Sequence, residues 1–272
     1  MSQKKLIQTK SSSLEFMAYK NQSKKSSEET LAEETPIAFV YNGISHVVMM
    51  ASPNDLEDFA LGFSITEEII NSPTDFYSVE INYINDGIEL KIEISSECFA
   101  YLKEKRRNLT GRTGCGLCGA ESLTQVIKYK KNKIISHEKF SHDQIRYALD
   151  QFSSNQILQK KTGATHATAI CNNLGKILLI REDVGRHNAF DKLIGAAIKQ
   201  RVSSKNSFVI TSSRASYEMI QKLSYLNLRL IAAISAPTAL AVRLADKIGI
   251  TLIGFAREDR YTIYSHKERI IE

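Results

Sequence analysis

The chain has 272 residues with 43% apolar and 24% charged side chains, which is ordinary for a globular protein long enough for a sizeable core and two domains. Four cysteines, Cys98, Cys115, Cys118 and Cys171, are too few to staple a secreted scaffold of this size, so a reducing compartment is expected. The net charge of +6 suits an anionic ligand or an acidic partner protein; it is too modest to argue for nucleic acid, and no long apolar run offers a membrane span.

Residues 1–30 read as a flexible arm. Met1 to Lys25 is rich in Ser and Lys and lacks the apolar centre of a signal peptide, so the expected location is the cytoplasm. Residues 31–107 read as a small α+β domain. Thr35 to Met50 predicts two strands around Asn42-Gly43, a strong hairpin signal. Ser52 to Asp55 opens a helix carrying Leu56, Phe59, Ala60, Phe63 and Ile70, ended by Asn71-Ser72-Pro73. Tyr77 to Ile84 and Ile88 to Ile94 alternate around Asn85-Asp86-Gly87, a second hairpin with one solvated face, and Phe99 to Arg107 suggests a short basic helix.

Residues 108–120 hold Arg112-Thr113-Gly114-Cys115-Gly116-Leu117-Cys118-Gly119. This many glycines suit neither helix nor strand, so the segment reads as a mobile loop presenting two thiols. Lys103, Lys105, Arg106, Arg107 and Arg112 crowd in upstream, and nearby cations raise the reactive thiolate fraction. Ser122 to Tyr129 is helical or extended, and the lysines at 128, 130, 131 and 133 form a solvated surface.

Residues 121–272 read as a layered α/β cofactor-binding domain. Ser141 begins a helix with Ile145, Leu149 and Phe152 on one face. Strands are predicted at Ala167–Cys171, Ile177–Ile180, Ser207–Thr211, Leu228–Ile234 and Thr251–Phe255. Helices are predicted at Asn188–Arg201, Tyr217–Tyr225 and Thr238–Ile248. The alternation implies parallel pairing, apart from a hairpin through Asn172 to Gly175. Polar clusters recur where strands end, the usual place for ligands in open α/β sheets.

The chemistry divides among these clusters. A closed zinc site needs four ligands and only one thiol pair is present, so zinc stays open as an alternative to a carrier thiol that holds sulfur as a persulfide. His166, in Thr162-Gly163-Ala164-Thr165-His166, reads most simply as a capping or packing residue. Glu182-Asp183-Val184-Gly185-Arg186-His187-Asn188 is either a helix cap built by Asp183 or Asn188, or an anion site using Arg186, His187 and a helix N-terminus. Thr211-Ser212-Ser213-Arg214-Ala215-Ser216 opens a helix with hydroxyls and an arginine, which suits phosphate. Phe255-Ala256-Arg257-Glu258-Asp259-Arg260 is a turn whose arginines could grip a pyrophosphate and whose carboxylates could read a guanine edge.

With these clusters in place the sequence resembles the FdhD-type formate dehydrogenase accessory proteins, the sulfur carriers for molybdenum enzymes. The resemblance is carried by the double-glycine cysteine motif at 112–119, Thr-Gly-Ala-Thr-His at 162–166, the long motif at 182–195, Ser-Arg-Ala-Ser-Tyr-Glu-Met at 213–219 and Gly-Phe-Ala-Arg at 254–257. It implies a protein that takes sulfur from a cysteine desulfurase and passes it to the molybdenum of a bis(molybdopterin guanine dinucleotide) cofactor, bound as substrate, to activate formate dehydrogenase. It implies Cys115 as persulfide carrier, Cys118 as its helper, and cofactor contact at 255–260. It further implies a C-terminal domain of cytidine-deaminase-like fold, homodimers, and no permanent metal. Deamination is not expected: His166 is followed by Ala167 and Thr168, and no Pro-Cys-x-x-Cys is present. The rival reading is a zinc-binding or nucleotide-binding regulatory protein without sulfurtransferase chemistry.

Overall fold

The computed structural model describes residues 9–20, 23–109 and 138–272. The expected cysteine loop beyond Leu109, the segment Ser122 to Tyr129 and the lysines at 128–133 lie outside the described residues. The N-terminal arm is not without regular structure: β1 (Ser11–Lys20) and β2 (Ser23–Ala32) pair antiparallel along their whole length.

The first sheet is built as the turn chemistry predicts. β3 (Thr35–Tyr41) and β4 (Ile44–Ala51) meet at Asn42 and Gly43, which have φ of 44° and 79°, the pair of positive angles a tight hairpin demands. The helix α1 (Leu56–Thr66) follows. It stops before Ile70 because Glu68 takes a φ of 55° and the Ser64 carbonyl accepts from both Ile69 and Ile70. β5 (Phe76–Ile84) and β6 (Gly87–Ile94) complete a sheet of order β4-β3-β6-β5, in which β3 and β6 run parallel. Ile37, Phe39 and Tyr41 alternate inward and meet α1, with Phe39 edge-on to Phe59 at 5.1 Å. The helix α2 (Ser96–Leu109) carries the chain to the end of this part.

The second sheet uses β8 (His166–Cys171), β9 (Ile177–Asp183), β10 (Phe208–Thr211), β11 (Leu230–Ala233), β12 (Thr251–Gly254) and β13 (Thr262–Ser265). These follow β7 (Phe140–Ser141), which pairs with the terminal β14 (Ile270–Ile271). Its order is β13-β12-β11-β10-β8-β9. Only β10, β11 and β12 are mutually parallel; β8, β9 and β13 run antiparallel to their neighbours, so the sheet is mixed rather than parallel. The reason is connection length. The short turn at Asn172 to Gly175 allows only a hairpin, whereas crossover helices join the parallel strands.

The helices are α3 (His142–Asn155), α4 (Ile157–Thr162), α5 (Arg186–Lys199), α6 (Tyr217–Tyr225) and α7 (Ala239–Ile248). Ile145, Leu149 and Phe152 of α3 cover one face of the mixed sheet, against Ala169, Phe208, Ile210 and Ile253. Phe190, Leu193, Met219, Ile220 and Leu244 of α5 to α7 cover the other, against Ile170, Val209, Ile231 and Leu252. That second core runs without a break into Phe39, Phe59, Phe63 and Leu90, so the two parts of the chain share one apolar interior. The join is the crossing of α1 and α5. A Cβ on Gly62 would lie 1.8 Å from the Asp191 carbonyl oxygen, and one on Gly195 1.9 Å from that of Asp58. Only glycine lets the two backbones approach this closely.

Candidate functional site

Strand direction gathers the polar clusters. β10, β11 and β12 end on one rim of the mixed sheet. β8 runs oppositely and begins there, and β9 ends there because His166 stands opposite Asp183. The segments on this rim are tied edge to edge. Ser212 N donates to Ala167 O at 3.0 Å, and Ala167 N to Ser212 Oγ at 2.9 Å. Ala215 N donates to Ala236 O at 3.2 Å, and Phe255 N to Ser235 O at 3.2 Å. Four clusters far apart in sequence thus form one surface.

The turn at 182–188 shows how the rim is presented. The buried Asp183 carboxylate accepts four hydrogen bonds: from Lys192 Nζ at 2.5 Å, Gly185 N at 2.7 Å, Ser52 N at 3.0 Å and Asn188 Nδ2 at 3.1 Å. Lys192 Nζ also donates to Ser52 O at 2.8 Å. Burial pulls the Lys192 amine's pKa down, and the Asp183 carboxylate opposes it. Glu182 instead accepts from Leu158 N at 2.9 Å and Gln159 N at 2.8 Å, at the start of α4. The cap of α5 is Gly185, so neither Asp183 nor Asn188 is its capping residue; both brace the turn from within.

That brace sets Arg186 and His187 as the first residues of α5, on the rim. Arg186 Nε and His187 Nε2 are enclosed and have no hydrogen-bond partner among the described residues. Burial, then the Arg186 cation, pushes the His187 imidazole down to about 4, so it is neutral near pH 7. Its Nε2 lies 3.9 Å from Glu218 Oε2. His166, half-buried on the same rim, is also shifted down, first by burial and next by Arg186; its Nδ1 lies 3.5 Å from Ser212 Oγ. Sequence reasoning left His166 outside the site; its signals were its position at the start of a strand and its place in the Thr-Gly-Ala-Thr-His motif.

The hydroxyls of 211–216 divide. Ser213 is buried, 3.1 Å from Thr211 Oγ1, and donates to Arg214 O at 3.0 Å, so it builds the loop. Ser212 holds β8. Arg214 is exposed. Ser216 alone stands at the start of α6, and its hydroxyl donates to Glu218 Oε2 at 2.7 Å.

The tail divides too. Phe255 is 50% exposed and has a φ of 51°, a left-handed angle that strains a bulky residue. Ala256 is buried in the core on the α3 side. Arg257 Nη1 donates to Ile234 O at 2.5 Å and Ala256 O at 2.8 Å, and Arg257 N to Arg260 O at 2.8 Å, closing the turn. Arg260 is exposed. Glu258 and Asp259 line a cleft with Arg146, Tyr147 and Asp150 of α3. The structure therefore brings Arg186, His187 and Ser216 together beside α6, and sets Glu258 and Asp259 beside α3. Cys115 and Cys118 lie outside the described residues.

Fold and rim together define a mixed α/β protein in which two sheets share a core and a polar strand-end rim carries an arginine and neutral histidines. The chain belongs to the FdhD/NarQ family, whose model matches residues 32–271. Among its relatives, a protein of Cupriavidus necator named sulfur carrier protein FdhD is 50% identical over 244 residues, covering 90% of this chain and 84% of that one. A protein of the same name from Bordetella petrii is 47% identical over 242 residues, covering 89% of this chain and 87% of its own. A crystal structure from Desulfotalea psychrophila, described as a formate dehydrogenase accessory protein, superposes with a TM-score of 0.77 at 23% identity. It covers 97% of this chain and 100% of its own. This last likeness establishes the fold.

Proposed function

We infer that this protein is a sulfur carrier that serves formate dehydrogenase. The observation that carries the reading is the glycine-flanked pair Cys115 and Cys118, in a chain about half identical to proteins named as sulfur carriers. The Cys115 thiolate attacks the outer sulfur of a persulfide on a cysteine desulfurase. A new S–S bond forms at Cys115, and the desulfurase cysteine leaves as thiolate. Cys118 assists. The molybdenum of a bis(molybdopterin guanine dinucleotide), which is substrate here, would then take the outer sulfur at the sulfane level, two electrons from the reduced metal making it bound sulfide, and Cys115 would be left as thiolate.

The rim is where this substrate's phosphates would lie. Arg186 Nε is a donor without a partner among the described residues, and a charge-assisted bond from it suits a phosphate oxygen; neutral His187 would add an uncharged donor there in its Nε2–H tautomer. Arg214 adds an exposed cation. Ser213 and Ala256, enclosed by their own loops, shape the rim from beneath. Phe255, Arg257 and Arg260 border it. Glu258 and Asp259 would read guanine only if the base reached the α3 side. The mixed sheet covered by helices on both faces is compatible with a cytidine-deaminase-like relationship. Homodimers in the cytoplasm complete the reading; no described helix is long and apolar enough to cross a membrane.

Intact mass after incubation with a cysteine desulfurase and cysteine tests the proposal. The wild type should gain the mass of a single sulfur, removable by reductant. Cys115→Ala should gain none and fail to activate formate dehydrogenase, and Cys118→Ala should be impaired less. Full activation by Cys115→Ala would remove the carrier assignment.

A further inference from the structure

Helix α6 starts in an unusual way. Ser216 holds the N-cap position with extended backbone, φ −86° and ψ 173°, yet its side chain caps no helix N–H. Such a serine normally accepts from the second or third N–H of the helix. Here it donates to Glu218 Oε2 at 2.7 Å, and the same oxygen lies 3.9 Å from His187 Nε2. Burial alone would raise the Glu218 pKa. The bonds from Ser216 and from Glu218's own backbone N–H, with His187 and Arg186 close by, hold it below the ordinary carboxylate value. One carboxylate thus collects a hydroxyl, a helix-start N–H and the field of an arginine, the donor set a phosphate oxygen takes.

We propose that Glu218 is a built-in placeholder for a phosphate group: its carboxylate fills the anion corner between Arg186, His187 and Ser216, and must swing out for a diphosphate to bind. This rests on reading that corner as the phosphate site of the cofactor. Glu218 is free to leave, since its side chain is 42% exposed and no described lysine or arginine pairs with it directly. Lys222, one turn further along α6, is committed elsewhere, to Asp191 at 2.7 Å and Thr66 at 2.9 Å. The arrangement discriminates by charge. A monoanion would merely replace Glu218 charge for charge, whereas a diphosphate brings more charge and more acceptors to the same donors. The corner therefore stays closed to small carboxylates and opens to a nucleoside diphosphate.

A site filled by its own carboxylate nine-tenths of the time shows an apparent affinity about tenfold weaker than its intrinsic one. Calorimetry of the full chain with GDP and with inorganic pyrophosphate is the test, on wild type, Glu218→Gln, Glu218→Ala and Arg186→Ala. Both Glu218 variants should bind each probe about tenfold more tightly than wild type, and Arg186→Ala more weakly. If both Glu218 variants bind no better than wild type while Arg186→Ala still weakens binding, the placeholder is overturned and the phosphate corner stands. If Arg186→Ala binds as wild type does, or none of the four proteins binds either probe, the corner itself falls and the placeholder with it.

Discussion

Lys192 Nζ lies 2.5 Å from the Asp183 carboxylate, and solvent reaches neither side chain. This pair is the foundation of the rim. Asp183 also holds Ser52, Gly185 and Asn188, so one carboxylate links α5, the end of β9 and the chain leaving β4. Removing one partner of a buried ion pair strands the other charge, at a cost of about 3–5 kcal/mol. Lys192→Met should therefore lower stability by that order in denaturant unfolding. The double change Lys192→Met with Asp183→Asn should recover part of it. A single variant as stable as wild type would contradict the role given to the pair.

The crossing of α1 and α5 is equally intolerant of change. A Cβ at Gly62 or Gly195 would meet a carbonyl carbon or oxygen of the facing helix well inside contact distance, and a helix backbone cannot give way as a flexible side chain can. Overpacking of well-packed interiors costs about 1–3 kcal/mol and occasionally more. Gly62→Ala and Gly195→Ala should each lower the unfolding midpoint by an amount at or above the top of that range. The higher helix propensity of alanine, about 0.8–1 kcal/mol in its favour, is too small to reverse the sign.

Much of the fold was legible where the signal is local. Asn42-Gly43 announced its hairpin, and the helix expected at Tyr217–Tyr225 has those ends as α6. The direction of β8 and β13 was not legible, because alternation of strands and helices does not say which neighbour a strand pairs with. At the rim, the sequence placed Glu182 and Asp183 in a cluster that read as either a helix cap or an anion site. Their partners are Leu158, Gln159, Ser52 and Lys192, and Ser52 stands 131 positions away in the chain, so their structural role could only be seen in the fold. The hydroxyl cluster was opaque for a similar reason: Ser212 and Ser213 make bonds within and beside their own loop that only the fold reveals.

The neutral imidazole of His187 makes stability depend on pH. Its folded value is about 4 against an ordinary 6.5, so between those values the unfolded chain binds the proton more readily. The stabilisation from keeping His187 neutral is complete above about pH 6.5 and is lost as pH falls toward 4. His166, shifted in the same direction, adds to the effect. Denaturant midpoints should fall between about pH 7 and pH 5. His187→Gln should show a shallower fall, and a variant with the wild-type profile would remove His187 as a contributor.

The arginines should separate in their effect on nucleotide binding. Arg186 offers a Nε with no partner among the described residues, beside neutral imidazoles that do not compete for an anion. Arg214 is exposed, so its interaction with a phosphate is screened by solvent and salt. Arg257 already donates to Ile234 O and Ala256 O, so replacing it chiefly loosens the turn after β12. A charge-assisted hydrogen bond is worth about 1.5–3 kcal/mol, and each ~1.4 kcal/mol is a factor of ten in affinity. Arg186→Ala should therefore weaken GDP binding by roughly ten- to a hundredfold. The loss in Arg214→Ala should be smaller and should shrink as salt is raised, and Arg257→Ala should change affinity least. Calorimetry at two salt concentrations would measure all three. An Arg257→Ala loss exceeding that of Arg186→Ala would move the phosphate contact from the start of α5 to the end of β12.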